Sequence, residues 1–270
     1  MLAYRKSAVI TILIVALFAG TSASDTGFFS HGYSCDIAVI SAGAGLWALG
    51  KYQINHAPRP DPLAEKTDDI PAIDRFATKY YSETVSDYSD MSIEITGVLS
   101  LVTLLTAYSG PQGGIEKLAR GFVIYAETML LVDGLTDVAK GTFNRSRPLV
   151  YNDSVPMGKR STRFAAQSFW SKHAATAFAN AVFAGYTFQR LHPDSRWTRY
   201  VWCAGLTSAA ATAVLRVRAG MHFPTDVAAG AAVGSCIGWA IPKVHEKYGG
   251  SVLLSPEVNG AAGLNCVYLF

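Results

Sequence analysis

Three stretches of this chain carry side chains that can bind phosphate or transfer a phosphoryl group: residues 140–148, 170–173 and 216–226. Together they hold several cations with hydrogen-bonding heads, two histidines, and a carboxylate four residues after the second histidine. Such a set can hold a phosphate dianion, attack its phosphorus and protonate the group that leaves. The prediction rests on all three stretches in this order, because each one alone has an ordinary structural explanation.

The third stretch is the most specific. Pro224 is typical of the first turn of a helix, which places Asp226 in that turn and within reach of the His222 ring. A carboxylate on one imidazole nitrogen fixes the tautomer and leaves the other nitrogen free to attack. Arg216 adds a planar fork for phosphate oxygens. The alternative is that Asp226 complements the helix dipole and that His222 is a buried, hydrogen-bonded histidine.

The other two stretches supply a phosphate clamp and an acid. Lys140 and Arg147 combine a flexible point charge with a planar fork, although cations near a helix C-terminus also complement its dipole. Ser171 and Lys172 precede an apolar helix whose N-terminal N–H groups form an anion site, and Ser171 is also a natural N-cap. His173 can act as a general acid toward a leaving oxygen.

These motifs resemble the type 2 phosphatidic-acid phosphatase superfamily, which includes bacterial acid phosphatases and vanadium haloperoxidases. The family pattern is Lys-x6-Arg-Pro, then Pro-Ser-Gly-His, then Ser-Arg-x5-His-x3-Asp. The matching positions are Lys140, Arg147 and Pro148 in the first motif, Ser171 and His173 in the second, and Arg216, His222 and Asp226 in the third.

The resemblance implies a role for each matched residue. His222 would be the nucleophile that forms a phosphohistidine, Asp226 would orient it, and His173 would protonate the leaving group. The phosphate oxygens would be held by Lys140, Arg147, Arg216 and the backbone of Ser171 and Lys172. No metal or other cofactor is expected, because the cations stabilise the developing charge. Vanadate is expected as an inhibitor.

This chain departs from the family pattern at three positions. Trp170 stands for the proline, Lys172 for the glycine, and Leu215 for the serine before the arginine. A lysine keeps the backbone N–H that would face the phosphate, provided that the position does not require a conformation open only to glycine. The Lys172 ammonium could also add a phosphate contact.

The first 23 residues are typical of a secretory signal peptide. Arg5 and Lys6 precede an apolar run at 8–20, and residues 21–23 are small. We therefore expect export to the cell envelope, with an uncleaved membrane anchor as the alternative. Without Arg5 and Lys6 the chain has 21 basic against 20 acidic residues, a net charge of about +1 that argues against a nucleic-acid partner.

The four cysteines form no CxxC pair, which argues against a zinc site. Cys203 and Cys236 lie in apolar runs and are predicted to be buried thiols. Export would permit a disulfide between Cys35 and Cys266, but the sequence does not decide this.

The chemistry-bearing stretches must be positioned by helices, since the apolar segments are too long for strands. The predicted fold is all-α, an antiparallel bundle of about six helices. The predicted helices are 37–49, 92–108, 115–143, 173–190, 197–216 and 224–245. Residues 24–36 are predicted to be irregular, and 73–88 could form a surface helix. Charge-free runs of 15 or 16 residues fall just short of a usual membrane span, which favours a membrane-associated bundle over a soluble periplasmic one.

The end of the chain has a different pattern. Residues 251–254 and 263–270 read as two strands around Asn259-Gly260, which predicts a small hairpin. The predicted organisation is therefore a signal peptide at 1–23, an N-terminal helix and polar arm at 24–90, a helical phosphatase core at 91–245, and a C-terminal hairpin at 246–270.

The favoured interpretation is a metal-independent phosphatase of lipid-linked phosphate or pyrophosphate. The alternatives are a soluble periplasmic acid phosphatase, a vanadium-dependent haloperoxidase, and a non-catalytic envelope protein that kept the fold. A dinucleotide-binding turn at 37–48 is disfavoured, because a proline-rich polar stretch and not a second strand follows it. The sequence does not name the substrate or the oligomeric state.

Overall fold

The computed structural model describes residues 33–109, 114–248, 252–256 and 264–268. The predicted signal peptide and the predicted turn at Asn259-Gly260 lie outside these residues. So does the side chain of Cys266, so the structure does not test the disulfide with Cys35 that export would permit.

The described chain folds as an all-helical core. Its helices are α1 Tyr33–His56, α2 Glu83–Ser109, α3 Ile115–Phe143, the single-turn α4 Met157–Arg160, α5 Lys172–Leu191, α6 Thr198–Arg218 and α7 Pro224–Tyr248. The predicted all-α class is confirmed, and six of these helices are long. The predicted irregular stretch is wrong at 33–36, where α1 has already begun. The predicted surface helix is a 3-10 turn at Arg75–Lys79 followed by the first turns of α2.

Two short strands follow the bundle. Strand β1, Val252–Pro256, pairs antiparallel with β2, Leu264–Tyr268, and Val252 lies opposite Tyr268. Their side chains and the connection between them lie outside the described residues, so the predicted C-terminal hairpin as a flap on the bundle stays a prediction.

Helix α5 is the centre of the bundle, packing against α7, α6 and α2. Its buried positions are mostly alanine, so neighbouring backbones can approach closely. Gly230, Gly234 and Gly238 recur every fourth residue and therefore line one face of α7. A Cβ at Gly234 would overlap the carbonyl oxygen of Ala175, so the contact between α5 and α7 requires glycine there. This packing sets the N-termini of α5 and α7 side by side.

The outer faces of the bundle are apolar. Within the described residues, three helical segments are long and apolar enough to cross a membrane: Glu83–Ala107, Thr198–Arg218 and Pro224–Glu246. On α2, Met91, Ile95 and Val98 are more than half exposed. The prediction that Cys203 and Cys236 are buried is wrong, since both are exposed. Cys203 of α6 and Cys236 of α7 lie on the outward faces of these helices, whereas the small residues Gly205 and Gly234 face α5.

A buried ionic cluster lies at the opposite end of the bundle from the phosphate motifs. Arg120 of α3 donates to Asp36 of α1 at 2.5 Å and to His245 Nδ1 of α7 at 3.0 Å. Because Nδ1 accepts, Nε2 carries the hydrogen and donates to Glu127 at 2.5 Å. His245 lies roughly 28 Å along α7 from Asp226, by the rise of an α-helix. The cluster therefore joins three helices far from the candidate site.

Candidate phosphoryl-transfer site

The site lies where the C-terminal ends of α3 and α6 meet the N-termini of α5 and α7. Between α6 and α7 the chain turns at Gly220, whose φ is +70°. A side chain there would be strained and would overlap the carbonyl oxygen of Tyr80. This turn brings Arg216, on the last turns of α6, and His222, just before α7, into one site.

His222 is buried, and its ring is held in one tautomer. Its Nδ1 lies 2.8 Å from the carbonyl oxygen of Ser168. A carbonyl can only accept, so Nδ1 carries the hydrogen and Nε2 presents a lone pair. The Arg147 guanidinium lies 3.5 Å from Nε2. Any phosphate that Arg147 holds is therefore placed beside the free nitrogen.

Asp226 acts on this histidine through Ser168. Its carboxylate is 3.8 Å from His222 Nδ1, too far for the direct hydrogen bond that the spacing predicted. It accepts instead from the Ser168 hydroxyl at 2.5 Å and from the Phe223 N–H at 2.9 Å. The carboxylate thus fixes the residue whose carbonyl oxygen orients His222.

Arg145 and Asp74 hold the Asp226 carboxylate in place, and the sequence analysis did not predict either of them as a site residue. Arg145 donates to Asp226 at 2.5 Å and to Asp74 at 2.7 Å, and its guanidinium stacks on the Phe223 ring. Asp74 also accepts from the backbone N–H and the hydroxyl of Thr225. Asp74, in the polar arm before α2, therefore contacts the first turn of α7 and fixes its position, although it belongs to none of the three motifs.

Lys140 and Arg147 are buried beside His222. Lys140 Nζ donates to the carbonyl oxygen of Gln167 at 2.6 Å. Arg147 donates to the carbonyl oxygens of Gln167, Phe164 and Met221. These partners are neutral, so the hydrogen bonds position both cations without cancelling their charge.

His173 and Arg216 form the other half of the site. His173 Nε2 lies 2.7 Å from Asp90 of α2, and Arg216 lies 3.5 Å from the same carboxylate. Arg216 also donates to the hydroxyls of Ser86 and Ser89 at 3.0 Å each. Asp90 is the residue that joins the two, and nothing in the motif spacing indicated it.

The first turn of α5 differs from what the family pattern implied. Ser171 caps the helix, since its hydroxyl oxygen accepts from the Ala174 N–H. Its own N–H donates to the carbonyl oxygen of Asp226 at 3.0 Å, so the N–H groups left for a phosphate begin at Lys172. The Lys172 ammonium lies 2.8 Å from Asp133 of α3, paired with a carboxylate.

Both histidines have depressed pKa values. Burial holds the pKa of His222 well below its ordinary value, and the charges of Arg147, Lys140 and Arg216 lower it further. Loss of hydration lowers the pKa of His173 to about 4, even though Asp90 favours its protonated form. At neutral pH His222 is therefore in the basic form that a nucleophile needs.

Comparisons with known proteins give a family-model match, a similar sequence and a similar structure. Residues 121–249 match the family model described as PAP2 superfamily. Lipid A 1-phosphatase of Porphyromonas gingivalis is 34% identical over 149 residues, which cover 54% of this chain and 29% of that protein. A crystal structure described as the first transmembrane PAP2 type phosphatidylglycerolphosphate phosphatase from Bacillus subtilis aligns with a TM-score of 0.49 at 18% identity, over 76% of this chain and 96% of that chain.

Proposed function

Because residues 121–249 of this chain match the family model described as PAP2 superfamily, we propose that it is a phosphatase acting on a lipid-linked phosphate or pyrophosphate. The observation that carries the proposal is the set of three cations around His222. Lys140, Arg147 and Arg216 are only 5%, 3% and 3% exposed. Lys140 and Arg147 have neutral carbonyl partners that leave their charge uncancelled, whereas Arg216 lies 3.5 Å from Asp90. Buried positive charge of this kind is stabilised by a bound anion such as phosphate.

The first step is attack on phosphorus by His222 Nε2. The nitrogen lone pair forms the N–P bond while the bond from phosphorus to the leaving oxygen breaks. Lys140, Arg147 and Arg216 stabilise the charge on the other phosphoryl oxygens. Ser168 and Asp226 hold the ring so that Nε2 stays aligned.

His173 supplies the proton to the leaving oxygen. In the absence of substrate its pKa is about 4, so it is largely neutral at pH 7. A phosphate dianion beside the ring raises that pKa, because a nearby negative charge favours the imidazolium. In the second step His173 takes a proton from water, the resulting hydroxide attacks phosphorus, and the N–P bond to His222 breaks.

The lipid substrate is supported by two observations. Three of the described helices are long and apolar enough to cross a membrane, and each has one end at the site, marked by Asp90, Arg216 and Asp226. The curated relative from P. gingivalis is named a lipid A 1-phosphatase. A headgroup at the bundle end could enter the site while its acyl chains stay in hydrocarbon, so remote binding energy positions the phosphorus.

Phosphate release by the purified chain tests this function. The panel is phosphatidic acid, phosphatidylglycerol phosphate, undecaprenyl pyrophosphate and lipid A in detergent micelles, with p-nitrophenyl phosphate as the soluble ester. We expect a higher kcat/KM for at least one lipid, and none of this activity in His222→Ala. Equal or better turnover of the soluble ester would favour an acid phosphatase, and no turnover of any ester would overturn the proposal.

The proposed reaction needs no metal, because the three cations provide the charge stabilisation. Activity should therefore persist in EDTA, and vanadate should inhibit it by occupying the phosphate position. Loss of activity in EDTA that zinc or magnesium restores would contradict this part of the proposal. Vanadate-dependent bromination would instead indicate a haloperoxidase.

A further inference from the structure

Lys172 sits at a position where a cation is unfavourable. It is the first residue of α5, and the N-terminus of a helix carries partial positive charge. Its side chain turns toward α3, with Nζ 2.8 Å from Asp133 and 3.7 Å from Asp137. The Lys172 side chain is 16% exposed and the Asp133 side chain 35%, so this pairing is partly shielded from solvent. The ammonium is therefore directed at two carboxylates of a neighbouring helix.

Those carboxylates lie on the same helix as Lys140. Asp137 precedes Lys140 by three residues, a spacing at which side chains on a helix meet. Asp137 is buried, at 4% side-chain exposure, and it also pairs with Lys51 of α1 at 2.7 Å. Two lysines from other helices thus occupy the carboxylate that is the nearest competitor for Lys140 along α3.

We propose that Lys172 is a positioning residue that keeps Lys140 available to the phosphate. With Lys172 on Asp133 and Asp137, the Lys140 ammonium points to the carbonyl oxygen of Gln167, which also binds Arg147. Without Lys172, Asp137 has less positive charge around it and draws Lys140 away from the substrate. This inference rests on the proposed function, since it assigns Lys140 to the phosphate.

The test is a double-mutant cycle on vanadate binding. Vanadate affinity is measured by calorimetry, so that variants without turnover can be compared. We expect Lys172→Met to weaken vanadate binding about fivefold, within the range of a partly buried ion pair. In a Lys140→Met background the same change should have almost no effect, because the residue through which it acts is gone.

Controls separate this role from a general loss of positive charge or of stability. A field effect of Lys172 on the anion would persist in the Lys140→Met background, which would overturn the proposal. Lys159→Met, which removes a surface lysine paired with Glu83, should leave vanadate affinity unchanged. Thermal unfolding checks each variant, and Lys172→Gly, the family residue, replaces Lys172→Met if the latter does not fold.

Three further outcomes are distinguishable. If the wild-type chain releases phosphate and binds vanadate but Lys172→Met binds it equally well, the inference fails and the proposed function stands. If Asp137→Asn in the Lys172→Met background restores affinity to within about twofold, competition for Lys140 is supported. If the wild type neither turns over a phosphate ester nor binds vanadate, both proposals fall together.

Discussion

The His222 ring is oriented by the backbone carbonyl oxygen of Ser168, and the Asp226 carboxylate acts on the ring through Ser168. This arrangement predicts that the two side chains behave as a unit. His222→Ala should lower kcat at least about a thousandfold, and Asp226→Asn should lower it strongly because Ser168 and Arg145 lose their shared acceptor. Phosphate-release kinetics measure both effects, with circular dichroism to confirm folding. Near-normal turnover by His222→Ala would exclude the proposed nucleophile.

Asp90 provides a pH signature for His173. The acid must be protonated, so kcat/KM falls as pH rises through the pKa of His173 in the free enzyme, which is about 4. Asp90 favours the protonated ring, so Asp90→Asn should move the alkaline limb of kcat/KM to lower pH by about half a unit to one unit. Glu83→Gln, an exposed carboxylate on the same helix, is the matched control. An unshifted limb in Asp90→Asn would argue against His173 as the acid.

The sequence predicted the site residues that share a motif, because short spacing along one helix turn fixes which side chains lie together. Their supporting residues were missed. Ser168 is 54 residues from His222, and Asp74 is 151 residues from Thr225. Contacts over such separations depend on tertiary packing, and no local pattern encodes them. The same packing decides that Lys172 pairs with Asp133, which the family comparison alone could not show.

At the level of the helices, glycine placement determines how close the backbones lie. Gly234→Ala should lower the free energy of unfolding by about 2–4 kcal/mol, because the new Cβ meets the Ala175 carbonyl oxygen and α7 must shift. Gly45→Ala is the matched control, since nothing lies within 4 Å of its Cβ and alanine favours a helix by about 1 kcal/mol. Denaturation in detergent compares them. Equal stabilities would contradict the close packing of α5 and α7.

Helix boundaries were predictable where residues mark them. Helix α3 spans 115–143 as predicted, after a Gly-Pro-rich segment, and α7 begins at Pro224. Helix α2 begins at Glu83, nine residues before its predicted start, because the polar residues of its first turns gave no apolar periodicity. Those turns carry Ser86, Ser89 and Asp90. Because the predicted helix began after them, the sequence did not indicate that these residues contact the site.

For the whole molecule, the apolar outer faces predict where it resides. The chain should stay with the membrane fraction after a carbonate wash, because exposed helices such as α2 lose contact with water only in a bilayer or detergent. Fractionation of the expressed chain, with a periplasmic soluble protein as control, measures this. Recovery in the soluble fraction, together with preference for p-nitrophenyl phosphate, would indicate a soluble acid phosphatase.

The buried cluster at the far end of the bundle has a consequence for the order in which the chain assembles. Arg120 lies 84 residues from Asp36 and 125 residues from His245 along the chain. During synthesis, Asp36 and Arg120 are available long before the last turns of α7 emerge. Until His245 arrives, Arg120 can pair with Asp36, but Glu127 lacks the hydrogen bond from His245, and burying its carboxylate costs free energy. We therefore expect a chain that ends before His245 to pack α3 less stably at this end of the bundle, because Glu127 would be buried without the histidine that donates to it.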